Sequence, residues 1–225
     1  MFGLDQALAA YSDGTSLVLL AVVAVALGLR HATDPDHIAA VSTLVASGGE
    51  RAPRLAARLG LTWGLGHATS LFAFGVPVVV YGAYLPDAAQ RGAETLVGVM
   101  IVALAVWLLV RWRRGVFHGH GRVRVRSGRQ AYTIGLVHGI GGTAGVGVLL
   151  LSTISSHRLA LAALAVFALC TALSMTLVST GFGFTLDSPR VRRSFSRLAP
   201  ILGGASLAFG VWYALGVQGV LPYYF

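Results

Sequence analysis

The 225-residue sequence contains no lysine, a single cysteine and only eight acidic residues. All 17 basic residues are therefore arginines, and charged residues make up 11% of the chain, against 56% hydrophobic residues. A water-soluble domain of this size could not cover its surface with so few polar side chains, so the composition predicts an integral protein of the lipid bilayer. Because the arginines fall between apolar segments rather than forming a basic patch, we expect no nucleic-acid partner.

Long apolar segments with few or no charged residues predict six membrane-spanning helices, because a helix needs about 20 residues to cross the hydrocarbon. These spans are residues 15–47, 59–84, 93–112, 131–153, 159–183 and 198–219. As one straight helix the first segment would be roughly 50 Å long, which is too long for one crossing and too short for two, so we expect a break at Pro35. The fold class is thus an all-α polytopic bundle, with residues 1–225 as a single integral membrane domain.

The arginines alternate between the predicted loops. The first and fifth loops hold three and four arginines, and the third holds seven when Arg111 at the end of the preceding span is included. The second and fourth loops hold only Arg91 and Arg158. Cytoplasmic loops of membrane proteins carry an excess of arginine and lysine, so the odd-numbered loops are predicted to be cytoplasmic. The protein is then a multi-pass protein of the cell (inner) membrane with both termini on the outer face.

A cluster of ionisable side chains interrupts the first span. Two histidines and two aspartates lie within seven residues, namely His31, Asp34, Asp36 and His37. Ionisable groups at membrane depth cost on the order of 3 kcal/mol each on insertion scales, so they persist mainly along ion or substrate paths. Imidazole and carboxylate groups together suit first-row transition metals, and no cysteine lies nearby to favour a softer metal. The cluster therefore predicts a path for a divalent metal ion.

Which aspartate would bind the metal stays open at this level. On an unbroken helix His31, Asp34 and His37 form one stripe, and Asp36 faces elsewhere. A break at Pro35 would turn Asp36 and His37 inward, leaving Asp34 to cap the second half-helix or to pair with the preceding arginine. In the alternative interpretation both aspartates only cap helix ends and pair with that arginine.

A short sequence frame, Gly-Leu-x-His, occurs three times, ending at His31, His67 and His138. With the predicted topology the first and third copies point in opposite directions, as expected for two inverted three-helix repeats over residues 15–112 and 131–219, joined by the basic cytoplasmic loop 113–130. The repeated frame adds His67 and His138 to the candidate metal ligands. Both could instead be core imidazoles that hydrogen-bond between helices.

These motifs carry a resemblance to a known family. The stretch from Arg30 to Ile38 resembles the H-x4-D-H signature of the nickel/cobalt transporter family, and residues 65–70 are similar to its second histidine motif. The stretch beginning at His138 is similar to the shorter six-helix branch described as urease accessory transmembrane proteins. The resemblance implies uptake or export of Ni2+ or Co2+, with His31, Asp36 and His37 essential for recognition and His67 added by the second motif. The chain lacks the later acidic motif of longer members.

Three functional classes use such a site. A transporter needs a few ligands on discontinuous helices, whereas a membrane metalloenzyme needs more ligands in facing pairs. The sequence has no phosphate-binding loop and no Ser-His-Asp arrangement, so we expect transport without direct ATP hydrolysis rather than an enzyme, with the metal as substrate and no permanently bound cofactor. The third class is a nonconducting accessory protein for metalloenzyme maturation. A cytosolic metallochaperone or metalloenzyme maturation factor is a possible partner, to which His118 and His120 of the third loop could hand metal. A single His-x-His is sparse for that purpose, so a solvated loop is the favoured interpretation of these two histidines.

Overall fold

The chain is helical throughout the residues that the computed structural model describes, which are 17–47, 53–82, 86–115, 127–141, 154 and 156–222. Within these ranges there are seven helices and no strand, which confirms the predicted all-α class. In chain order the helices are α1 (Leu17–His31), α2 (Pro35–Ser47), α3 (Pro53–Tyr81), α4 (Asp87–Arg113), α5 (Gly128–Ile140), α6 (His157–Asp187) and α7 (Pro189–Val217).

Four of these helices are long and apolar enough to cross a membrane, namely α3, α4, α6 and the part of α7 from Ser194 to Val217. They coincide with the second, third, fifth and sixth predicted spans, but they begin earlier than predicted. Arg58 and Arg197, which the sequence placed in loops, lie inside α3 and α7. Each of these two helices starts at a proline, which suits the first turn because an N–H there would have no partner within the helix. Each helix then continues through the basic segment into the apolar one.

The predicted break in the first span is confirmed, since α1 ends at His31 and α2 begins at Pro35. The turn between them is closed by the Asp34 amide, which donates to the His31 carbonyl oxygen at 3.2 Å. The fourth predicted span begins as α5, and residues 142–153 of that span lie outside the described part of the chain.

Helix α3 contacts α5 along one side and α6 along another. Helix α1 packs on α6, α4 packs on α7, and α2 contacts α4, α6 and α7. Helices α3 and α5 run parallel, because Gly66 abuts the Tyr132 carbonyl and, further along both helices, Gly139 abuts Ser70.

Two helix crossings depend on glycine. A Cβ atom at Gly28 of α1 would lie 2.7 Å from the carbonyl oxygen of Phe167 on α6, and a Cβ atom at Gly135 of α5 would collide with the carbonyl oxygen of Trp63 on α3. Small residues at such crossings let membrane helices approach closely. At both crossings the backbones of the two helices are therefore in direct contact.

A serine adds one hydrogen bond to each of these crossings. Ser174 of α6 donates to the carbonyl oxygen of Leu29 on α1 at 3.0 Å. Ser70 of α3 donates to the carbonyl oxygen of Leu136 on α5 at 2.7 Å. At each crossing the histidine three residues after the glycine, His31 or His138, thus lies beside an aromatic ring of the neighbouring helix.

Candidate metal centre

All six candidate residues lie in one buried cluster. The broken helix supplies four of them: His31 ends α1, Asp34 lies in the turn, and Asp36 and His37 lie at the start of α2. Helices α3 and α5 each supply one histidine. None is more than 7% exposed, and the members are His31, Asp34, Asp36, His37, His67 and His138. Because the turn changes the course of the chain between α1 and α2, side chains on both sides of the break reach the same interior space, as in the broken helices of transporters.

His31 and His67 form the direct contact between the broken helix and α3. Their Nε2 atoms are 3.1 Å apart, and the Nδ1 atom of His31 lies 3.2 Å from a carboxylate oxygen of Asp34. A histidine that donates its Nδ1–H to a carboxylate keeps its lone pair on Nε2, which is the arrangement found behind metal-binding histidines. Asp34 therefore orients His31 toward His67.

Asp36 lies between two other histidines. One of its carboxylate oxygens is 3.2 Å from Nδ1 of His37, and the other is 3.1 Å from Nε2 of His138. The helix break explains this position, because Asp36 would face away from His31 on an unbroken helix. Asp34 also lies 3.8 Å from the Arg30 guanidinium, so the predicted arginine pair exists alongside the contact with His31.

The donor atoms form two groups of three. His31, His37 and His67 offer donor atoms that lie within 4.8 Å of one another, and so do Asp36, His37 and His138. Among the described residues, Nε2 of His37 and the Nδ1 atoms of His67 and His138 have no hydrogen-bond partner. Buried polar atoms normally have partners, so these nitrogens are available to a ligand. Imidazole and carboxylate donors suit Ni2+, Co2+ and similar ions.

Two aromatic rings enclose the cluster, and neither was predicted from the sequence. The Phe167 ring is centred 5.7 Å from that of His31, and the Trp63 ring is centred 5.7 Å from that of His138. Trp63 precedes His67 by one helical turn, a spacing that could have pointed to it. Nothing around Phe167 in the sequence distinguishes it from other apolar residues of α6.

This arrangement can be compared with known proteins. Residues 17–130, about half of the chain, match the NicO family, described as high-affinity nickel-transport protein. The chain belongs to this family. The matched residues include the broken helix and the whole of α3, which hold five of the six clustered side chains.

Two relatives cover nearly the whole chain. The urease accessory protein UreH of Bacillus sp. (strain TB-90) is 28% identical over an alignment of 214 residues, which covers 89% of this chain and 92% of the relative. A protein of Methanocaldococcus jannaschii named as a nickel/cobalt efflux system is 25% identical over 201 residues, covering 87% of this chain and 92% of the relative. No solved structure matches the chain.

Other residues considered in the sequence lie away from the cluster or outside the described ranges. Arg111, assigned by sequence to the third loop, is buried in α4, where its guanidinium lies 5.2 Å from the centre of the Trp107 ring. The remainder of that loop between residues 116 and 126, with His118 and His120, lies outside the described residues.

Proposed function

We propose that this protein carries Ni2+ or Co2+ across the cell membrane through the cluster of four histidines and two aspartates. The buried nitrogens that lack hydrogen-bond partners carry this proposal, because polar groups at this depth are costly and a purely structural network would satisfy them. The nickel-transport family and the efflux relative support the same ion class. The metal is the substrate, no step requires ATP, and the protein is not an enzyme.

The path would cross a bundle of six spans, in which α1 and α2 together form the first span and α5 begins the fourth. The parallel course of α3 and α5 supports this count, since it requires α4 to return across the membrane between them. With arginine-rich odd loops inside, both termini face outward. In a variant without Cys170, cysteines introduced as H120C and R190C should resist labelling from outside sealed cells, whereas D87C should be labelled. Outside labelling at 120 or 190 would contradict the topology.

The two glycine crossings support inverted repeats over residues 15–112 and 131–219. Gly28 and Gly135 occupy equivalent places in the Gly-Leu-x-His frame, and each abuts the backbone at an aromatic residue on the neighbouring helix. Ser174 and Ser70 then bond the carbonyl of the leucine that follows each glycine. Such repeats would let the two halves exchange roles around a central site, which is how many transporters alternate access.

A second candidate function is that of a nonconducting membrane accessory protein. The relative UreH, named as a urease accessory protein, supports it, because the similarity covers 89% of this chain. In this case the same cluster would bind metal and deliver it to a cytosolic maturation factor rather than release it across the membrane.

Metal flux into liposomes that contain only this protein separates these functions. A metal-sensitive dye trapped inside should respond to external Ni2+ or Co2+ in vesicles with wild-type protein and with H157A, which removes an exposed histidine outside the cluster. Binding without flux would support the accessory function, and the absence of both would contradict any metal role of the cluster.

A further inference from the structure

His37 belongs to both groups of donor atoms, and the ring distances place it at the centre of the cluster. Its ring is centred 4.5 Å from that of His31 and 4.2 Å from that of His138. The rings of His67 and His138, which each belong to one group only, are centred 6.0 Å apart. The donors thus divide into two sets on either side of one shared imidazole.

We propose that the cluster forms two overlapping metal positions that share His37, and that the ion passes from one to the other during transport. The first position consists of His31, His37 and His67, and the second of Asp36, His37 and His138. This inference rests on the proposed function, because it assumes that the cluster binds Ni2+ or Co2+.

Sharing one ligand keeps each transfer step small. An ion that leaves the first position exchanges two imidazoles for one imidazole and one carboxylate, while its bond to His37 persists. Among the described residues the Nε2 atom of His37 has no hydrogen-bond partner, so it can bind the ion without a hydrogen bond being broken first. Ion paths require binding that is strong enough for entry and divided over enough sites for release, and two overlapping positions meet this requirement.

The two positions differ in charge. The first contains three imidazoles, and the carboxylates beside it contact imidazole nitrogens: Asp34 contacts Nδ1 of His31, and Asp36 contacts Nδ1 of His37. The second contains Asp36 itself, which would lie directly on the ion and offset part of its charge. An all-nitrogen set and a mixed set give a bound transition metal different ligand fields, so occupancy of each position has its own spectrum.

Single and double variants test whether there are two positions or one. Where two positions exclude each other their association constants add, so at least one of H67A and H138A should lose no more than about twofold in Co2+ affinity. The H67A/H138A double variant weakens both positions and should lose about tenfold or more, since loss of one ligand costs about 10 to 100-fold. If the two positions have similar affinity, each single variant loses at most about twofold, so the double variant loses more than the product of the two single effects. H37A alone should lose as much as the double variant.

A single position that uses all these ligands predicts another pattern. Both single variants would then lose about tenfold or more, with the double variant near their product, and this result would overturn the proposal. Small losses in all three variants would overturn it as well, because neither histidine would then be a ligand. If wild-type protein bound no Co2+, the proposed function itself would fail, which distinguishes the two failures.

Spectra and flux provide independent readouts. The visible Co2+ spectrum of H138A, which retains the all-nitrogen set, should differ from that of H67A, which retains the carboxylate set. Flux should fall in both single variants, including the one that keeps its affinity, because transfer needs both positions. H67Q and H138Q, checked for a single gel-filtration peak, guard against misfolding, and H157A is the matched control. Identical spectra in the two single variants would contradict two positions.

Discussion

The crossing of α1 on α6 and the crossing of α5 on α3 are alike in backbone and different in side chains. Each brings a glycine of the Gly-Leu-x-His frame against the carbonyl of an aromatic residue, Phe167 in one case and Trp63 in the other. In each crossing the histidine that ends the frame has its ring centred 5.7 Å from that aromatic ring. The same backbone contact and ring distance therefore occur twice, while the ring planes meet at 43° in the first crossing and at 68° in the second.

One turn beyond each aromatic residue the two crossings diverge. His67 follows Trp63 and contacts His31 across the cluster, whereas Thr171 follows Phe167 and donates its hydroxyl to the Phe167 carbonyl within its own helix. The packing scaffold is thus nearly symmetric, while the candidate ligands are not. A site built this way can keep two similar halves for movement and still have a distinct chemistry on each side.

The largest effect should come from filling the glycine contacts. In G28V and G135V the added side chain meets backbone atoms of the neighbouring helix, which cannot move aside as a side chain can. Overpacking of a well-packed core costs up to about 3 kcal/mol, and we expect at least that here, with little monodisperse protein recovered after membrane extraction.

Gly204 on α7 provides the control for this prediction, because a Cβ atom placed there would meet nothing within 4 Å. The yield of G204V should match wild type. Normal yield and normal gel filtration of G135V would show that α3 and α5 do not approach as closely as described, and a normal G28V with a defective G135V would break the similarity of the two crossings.

Truncation of the aromatic rings should have the next largest effect. Trp63 and Phe167 are both 1% exposed. We expect W63A and F167A each to lower the free energy of unfolding by about 3 kcal/mol. This value is near the lower end for buried rings, because a ring that leaves a membrane protein core on unfolding enters lipid rather than water. Denaturant titration in detergent measures this loss.

The variant W63F sharpens the comparison of the two rings. The indole N–H of Trp63 has no hydrogen-bond partner among the described residues, and phenylalanine already stands at the matching place in the other crossing. We therefore expect W63F to cost less than about 1.5 kcal/mol. A cost equal to that of W63A would mean that the indole N–H has a role that its surroundings do not explain.

The sequence was informative where membrane physics leaves few choices. Long uncharged segments predicted the helices, since backbone in lipid must satisfy its own hydrogen bonds. The break at Pro35 followed from the ring and the missing N–H. The cost of charge in a bilayer marked His31 to His37 as a special segment before any contact was known.

Contacts between distant segments could not be predicted in the same way. Periodicity alone placed Asp36 away from His31, and only the turn at residues 32–34 brings Asp36 to His138. Phe167 resembles every other apolar residue of α6, so its position beside His31 depends on where Gly28 lets the helices meet. Helix ends were also missed, because basic turns outside the apolar core remain helical.

The smallest effect should come from the serine hydrogen bonds, and it should be the same in both crossings. Ser70 and Ser174 each donate to a carbonyl on a neighbouring helix, and such bonds in membrane proteins contribute about 0.6 kcal/mol. S70A and S174A should therefore lower the free energy of unfolding by similar small amounts. In S42A the lost hydroxyl bonds only a carbonyl of its own helix, so a smaller change is expected. Suppose that S70A lowered the free energy of unfolding clearly, while S174A lowered it no more than S42A does. The two crossings would then be similar in geometry but not in energy, and the case for repeated halves would weaken.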